Sequence, residues 1–447
     1  MILSSTRLLI ALLLMGLLPA CTFVQEQYPK IPPGPYRAVL KLENNPIIPN
    51  PKGKPLPEKL NLEFDEVTDG ELPFTFEAVY EDDTTFYLDI INGDERIRVP
   101  SKNIGYGNDI TQARDTIRID FPVYDTYIQA YHEEGIIEGV WVVNYRDQYR
   151  IPFLAKFGEA HRFTQLRKAP VVDLSGEWAM TFSLADKPYL GLGEFKQDGN
   201  HLSGTIRTET GDYRFLEGTV QANKLYLSVF DGSHAFLFEG IIKEDGTLNG
   251  SFRSGRHYIT DFVAKRDPDF QLADPDTLTS LVSDGPISFS FPDANGDSLS
   301  LDDPQFAGKY KLIQIMGTWC PNCRDETNYL RDYLAENPSD QLAMITLAFE
   351  RYGPDDPRSR QAIKRYHQNM DVDWPILLAG SYKKDEAAQA LPMLNHILSF
   401  PTLLLVDPNN EVQYIHTGFN GPATSKFAAF DRAFREMLGE LLLAKDS

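Results

Sequence analysis

Trp319-Cys320-Pro321-Asn322-Cys323 holds two of the three cysteines in the 447-residue chain, three positions apart. A short apolar run, residues 311–315, precedes it and a helical pattern follows, so the pair falls on a strand-to-helix turn. A thiol at a helix N-terminus meets the positive end of the macrodipole and unpaired N–H groups, which favour thiolate. Pro321 suits the first helical turn, where its missing N–H would go unsatisfied anyway. A second thiol one turn later can close a compact disulfide and release a bound partner. Cys320 therefore reads as the attacking nucleophile, Cys323 as the resolving thiol, and Trp319 as a shield on one side. A passive staple is the poorer reading, because closing so short a loop adds little chain-entropy stabilisation. A zinc site is poorer still: there is no second C-x-x-C, and the histidines lack ligand spacing.

Outward from this turn, strand candidates at 311–315, 342–349, 402–406 and 412–416 alternate with helical patterns. The last helix places Phe427, Phe430, Phe434, Met437, Leu438 and Leu441 on one face. Near-continuous apolar strands alternating with helices predict an α/β domain with its sheet covered on both faces. Residues 350–358 read as a solvated surface loop, and Trp374-Pro375 as core.

Residues of about 285–445 resemble the TlpA/ResA family of extracytoplasmic thiol–disulfide oxidoreductases, within the redoxin/AhpC-TSA superfamily of thioredoxin-like proteins. The resemblance rests on residues 316–326, similar to the family's W-C-x-x-C-[RK]-x-E, on the approach 285–296, and on Ser399-Phe400-Pro401-Thr402. It implies that Pro401 is a cis-proline facing the disulfide and that the Phe400 backbone is free to pair with substrate. It also implies that Glu326 is the acidic residue that tunes the thiols. Gln314 stands where thioredoxin carries a buried Asp, which leaves Glu326 or water as proton carrier. The threonine or serine and the proline that precede a peroxidatic cysteine are replaced by Gly317 and Ile313.

Before the linker at 268–284 the texture is different. Short alternating strands are punctuated by Asn92-Gly93, Asp198-Gly199, Asp231-Gly232, Asp245-Gly246 and Asn249-Gly250, dipeptides suited to hairpin turns. This predicts an antiparallel β region, barrel or sandwich, from two related β units at 34–166 and 171–267. Residues 117–156 and 225–265 share a strand, turn, Gly-x-aromatic strand and a strand ending in Ala-Lys. Tyr124, Tyr127, Trp141, Trp178 and Phe230 read as core at alternating spacing. The expected fold is thus multidomain: an N-terminal antiparallel β region and a C-terminal thioredoxin-like α/β domain at 285–447.

Residues 1–20 carry Arg7 and an apolar run from Leu8 to Leu18, too short to span a bilayer and the right length for a signal peptide. Leu18-Pro19-Ala20-Cys21 resembles a lipobox, which implies acylation of Cys21. Thr22 rather than Asp at the next position implies outer-membrane sorting, with Pro-rich residues 21–33 as a tether. Lys+Arg 43 against Asp+Glu 64 gives −21, and loss of Arg7 gives −22. That balance argues against nucleic-acid binding.

The expected function is thiol–disulfide exchange in the cell envelope, running as a reductase by the family's example. The redox group is the cysteine pair itself, with no metal or other cofactor. Expected partners are envelope protein thiols and disulfides, with a membrane electron donor as a further one. Two alternatives stand beside it: a binding lipoprotein built on the β units with an accessory redoxin, and a thiol-dependent peroxidase.

Overall fold

A computed structural model describes residues 30–42, 67–183 and 187–443. The leader and Cys21 lie outside the described residues.

Nine strands, from β1 (Gly34–Lys41) to β9 (Arg150–Phe157), form an antiparallel meander in which β9 returns to pair with β1. The cycle lacks a ladder at one place, between β4 (Glu95–Val99) and β5 (Ile104–Asp109), so this unit is an open barrel. A second meander runs from β10 (Gly176–Phe182) to β18 (Tyr258–Arg266), and these two strands pair. β11 (Tyr189–Asp198) pairs with β12 (His201–Thr208), and β12 with β14 (Leu216–Gln221), which completes a closed eight-stranded barrel. The two-residue β13 (Gly211–Asp212) folds back on β12.

An eight-stranded barrel is just wide enough for side chains to fill. Trp178, Phe182, Phe238, Phe252 and Phe262 fill this one, with the Phe238 and Phe252 rings stacked at 4.5 Å. Their alternation along the strands is the pattern of packing, not of a ligand-binding lumen. β15 (Lys224–Phe230) and β16 (Ala235–Ile242) are buried on both faces. Their outer faces enter the core of the open barrel, where Phe230 stacks 4.4 Å from Phe74 and sits 5.2 Å from Trp141. Arg162, on the connection between the units, donates to the carbonyls of Ser228 and Ile91 and locks the pair together. Asn249-Gly250 is not a turn. It lies inside β17 (Leu248–Ser254), where a Cβ on Gly250 would fall 2.3 Å from the Phe262 ring. The turn is Asp245-Gly246, with Gly246 at φ +80°.

A short antiparallel hairpin of β19 (Ser290–Pro292) and β20 (Ser298–Ser300) precedes the C-terminal sheet, which has β21 (Tyr310–Met316) at its centre. β22 (Leu342–Glu350) and β23 (Ile376–Ser381) extend it in parallel on one side, and antiparallel β24 (Thr402–Val406) and β25 (Val412–Thr417) on the other. Helices α1 (Pro321–Glu336), α2 (Pro357–Met370), α3 (Lys384–Ala390) and α4 (Phe427–Leu443) complete it. β21, β23 and β24 are buried along nearly their whole length, as strands covered on both faces must be. Among the described residues no helix is long and apolar enough to cross a membrane.

A buried ionic hub ties the three bodies together. Arg214, in the closed barrel, binds Glu95 of the open barrel and Asp325 of α1, with the buried Asp231 carboxylate 3.4 Å from its Nε. The hub fixes the closed barrel against the face of the C-terminal domain that carries the cysteines.

Candidate active site

Cys320 is the N-cap of α1 and Pro321 its first residue, so the helix begins at the disulfide because the sequence supplies a cap followed by a residue that needs no N–H acceptor. Cys320 and Cys323 are bonded, with Cα atoms 5.3 Å apart. The Cys323 N–H points at Cys320 Sγ over 3.2 Å, one of the free helix-terminal donors serving the sulfur. Cys323 is fully buried and Cys320 is 5% exposed, so only the first sulfur has an approach from outside.

The loop ahead of β24 forms the facing wall. The Phe400–Pro401 peptide is cis, and the Phe400 carbonyl oxygen lies 3.4 Å from Cys320 Sγ, within reach of the thiol proton in the reduced form. Trp319 donates from its indole N–H to the Phe349 carbonyl, and its ring packs edge-on against Phe400 at 5.8 Å. The guanidinium of Arg351 covers the Trp319 ring at 4.4 Å.

Glu326 is fully buried one turn below Cys323. The Gln314 side-chain amide bridges the two, donating to Glu326 Oε2 at 2.9 Å and to the Cys323 carbonyl at 3.2 Å. Gln314 Oε1 accepts from Thr327, and Tyr366 donates to Thr327 in turn. Glu326 Oε1 has no hydrogen-bond partner. Burial pushes the carboxyl up to about 8, only partly opposed by the Gln314 bond. At neutral pH Glu326 is therefore largely protonated. Gln314 does not replace the acid; it holds one.

Residues 354, 355, 357 and 358 are exposed, as a solvated loop should be, and the expectation is corrected only at the start of the stretch. Glu350 is buried, accepts from the Thr318 N–H and hydroxyl at 2.9 Å each, and is raised to about 7 by desolvation. Arg351 packs against Tyr145, Trp319 and Tyr382. Polar composition suggested a surface; the open barrel's Tyr145 covers it. Trp374 is core, bonded through its indole N–H to Thr346.

Sequence reasoning missed the closed barrel's contribution. The β12–β13 hairpin reaches the cysteine turn: the Ser399 hydroxyl donates to the Thr210 carbonyl at 2.8 Å, and the Asn322 amide to the Asp212 carbonyl at 3.3 Å. Gly211 sits so close that a Cβ would fall 2.0 Å from Asn322 Nδ2. A tight Gly-Asp pair after a strand signals a turn, and no local pattern tells which surface a turn will touch. Among the described residues no cluster of three or more His, Cys, Asp or Glu side chains is placed to hold a metal ion.

Residues 268–431 match the family model described as Redoxin. The thioredoxin-like protein YneN of Bacillus subtilis (strain 168) is 28% identical over 130 residues, 29% of this chain and 68% of that protein. The thiol-disulfide oxidoreductase ResA of the same organism is 24% identical over 136 residues, 30% of this chain and 66% of that protein. A solved thiol-disulfide oxidoreductase from Bacteroides fragilis NCTC 9343 is 21% identical and covers 33% of this chain and 98% of its own, with a TM-score of 0.25. The C-terminal region of the chain is thus a redoxin domain of thioredoxin-like fold and thiol–disulfide oxidoreductase type. The chain spans about two thirds of the length of these two relatives, and each match covers about 30% of the chain.

Proposed function

We propose that the chain works outside the cytoplasm as a lipid-anchored thiol–disulfide oxidoreductase, running in the reducing direction. One observation carries this reading: a single approachable sulfur, Cys320, caps a helix and faces the cis-proline loop, with a buried partner sulfur bonded to it. In the cycle, the Cys320 thiolate attacks a partner disulfide and forms a mixed disulfide. Cys323 then attacks Cys320 Sγ and releases the reduced partner. Glu326 serves in this cycle as the proton carrier of the resolving thiol, a role supported by its burial under the same turn, where Gln314 bonds both its carboxyl and the Cys323 backbone carbonyl. The anchor is supported by Cys21 directly after the apolar leader, and the reducing direction by the resemblance of residues 316–326 and 399–402 to the TlpA/ResA family. A membrane-side dithiol would restore the reduced pair.

The test is a Cys323→Ser chain exposed to its native compartment, followed by intact-mass and gel analysis without reductant. Partners should accumulate in disulfide linkage to Cys320 and disappear when Cys320 is also replaced. A Cys323→Ser chain that captures nothing, alongside an unchanged disulfide content of the compartment in a strain lacking the protein, would sink the reading.

A further inference from the structure

The ground beside Cys320 is already taken. The hairpin that carries Thr210 and Gly211 lies on the cis-proline loop and on Asn322, the surface a substrate strand would need. What remains open at the sulfur is a pocket of about 240 Å³ walled by all three bodies. That is the size of a small ligand, below the usual range for drug-sized molecules of roughly 300–1,000 Å³.

The charge of this pocket runs against that of the chain. In a molecule of net charge −21, Arg146 and Arg351 line it, together with His257 and His234. Its lone acidic side chain is Asp212, whose carboxylate is occupied by the backbone N–H groups of Arg214 and Gly421. Arg351 makes no ion pair among the described residues, and its buried Nε lacks a hydrogen-bond partner; aromatic faces hold it, with the Glu350 carboxylate acting on it only through space. Burial and the charges of Arg146 and Arg351 push His257 down to about 3, a sign of the positive field in the pocket. Glu350, next to Arg351 in the chain, acts on its charge, but its carboxylate is spent on the Thr318 N–H and hydroxyl, so the pocket wall itself presents two guanidiniums and, besides Asp212, no acidic side chain.

We infer that this pocket admits an anionic low-molecular-weight disulfide, carrying carboxylates, as the substrate of the reduced Cys320–Cys323 pair. The inference rests on the oxidoreductase reading above and narrows its substrate class from proteins to small molecules. Cys320 thiolate attacks one sulfur of R–S–S–R, forms the Cys320–S–R bond and releases R–S⁻, which takes up the proton lost from Cys320. Cys323 then attacks Cys320 Sγ, forms the protein disulfide and releases the second R–S⁻, protonated by the proton lost from Cys323. The substrate gains two electrons and the protein dithiol loses them. Arg146 and Arg351 hold the carboxylates and concentrate the anion at the sulfur.

The test is single-turnover oxidation of the pre-reduced full chain by oxidised glutathione (anionic), cystamine (cationic) and bis(2-hydroxyethyl) disulfide (neutral). Each rate constant is divided by that of dithiothreitol with the same disulfide. The normalised rate should favour oxidised glutathione over cystamine by about tenfold or more at low salt. That ratio should fall several-fold in Arg146→Gln and in Arg351→Gln, and in wild type at high salt. Equal normalised rates for the three disulfides, a preference for cystamine, or faster reduction of the protein disulfides of insulin overturns the inference and leaves the oxidoreductase reading standing. Failure to reduce even the neutral disulfide overturns both.

Discussion

Glu326→Gln isolates the cost of the buried carboxyl. Glu326 is fully buried, bonded on one oxygen by Gln314 and bare on the other, and its ionisation is displaced from the ordinary 4.5 to about 8. Between those values the unfolded chain has released the proton and the folded chain has kept it. Because the folded state binds more protons there, stability falls as pH rises; it is whole below about 4.5 and stops falling once pH passes about 8. At 1.36 kcal/mol per pH unit, the 3.5-unit gap costs the domain about 5 kcal/mol by pH 9. That is a large share of an ordinary domain's stability. Gln in place of Glu keeps the acceptor for Gln314 and removes the titration. The assay is hydrogen exchange of the oxidised chain, read by mass spectrometry on the peptide covering β21, in urea at pH 5, 7 and 9 after correction for intrinsic exchange. Wild type should lose protection across this range more steeply than Glu326→Gln, which keeps the fall due to Glu350 up to about pH 7 and is the more protected of the two at pH 9. Parallel curves for the two proteins would refute the placement of a neutral carboxyl beneath the cysteines.

Other perturbations test the surroundings. Gly211→Val puts a branched side chain at φ +131° against Asn322; it should lift the hairpin and speed alkylation of reduced Cys320 several-fold while far-UV dichroism keeps the barrel signal. Arg214→Met leaves the buried Asp231 carboxylate with His234 alone and frees Glu95 and Asp325, so about 3–5 kcal/mol should be lost, seen as a lower urea midpoint and new proteolytic cuts between the bodies. Cys21→Ser should move the chain from the membrane fraction to the soluble fraction and abolish labelling by a fatty-acid probe.

The cysteine turn was legible because its chemistry is local: cap, proline and second thiol lie within four residues, and the strand before them is mostly apolar, broken by Lys311 and Gln314. The hairpin turns at Asn92-Gly93, Asp198-Gly199 and Asp245-Gly246 were legible for the same reason, each glycine taking the positive φ that the dipeptide advertises. Barrel closure was not, since the pairing of β10 with β18 joins strands about 80 residues apart on the chain, and alternation alone fits a sandwich equally well. Gln314 looked like the loss of a proton relay because its partner, Glu326, is 12 residues away. Arg351 looked like surface because what covers it, Tyr145, belongs to another body. The substrate-facing wall is built from three separate regions, and no window of sequence contains it.

Cys320 and Cys323 form a working couple and not a staple. The Cys323 N–H aimed at Cys320 Sγ favours the thiolate and so the reduced state, which raises the potential above that of structural disulfides. The measurement is equilibration of the full chain across a ladder of thiol–disulfide buffers, with free thiols counted by alkylation and mass. Both sulfurs should change together in one two-electron step, with a midpoint in the range of exchange catalysts, about −120 to −270 mV. A disulfide that persists below about −300 mV, or two thiols that respond separately, would contradict the account.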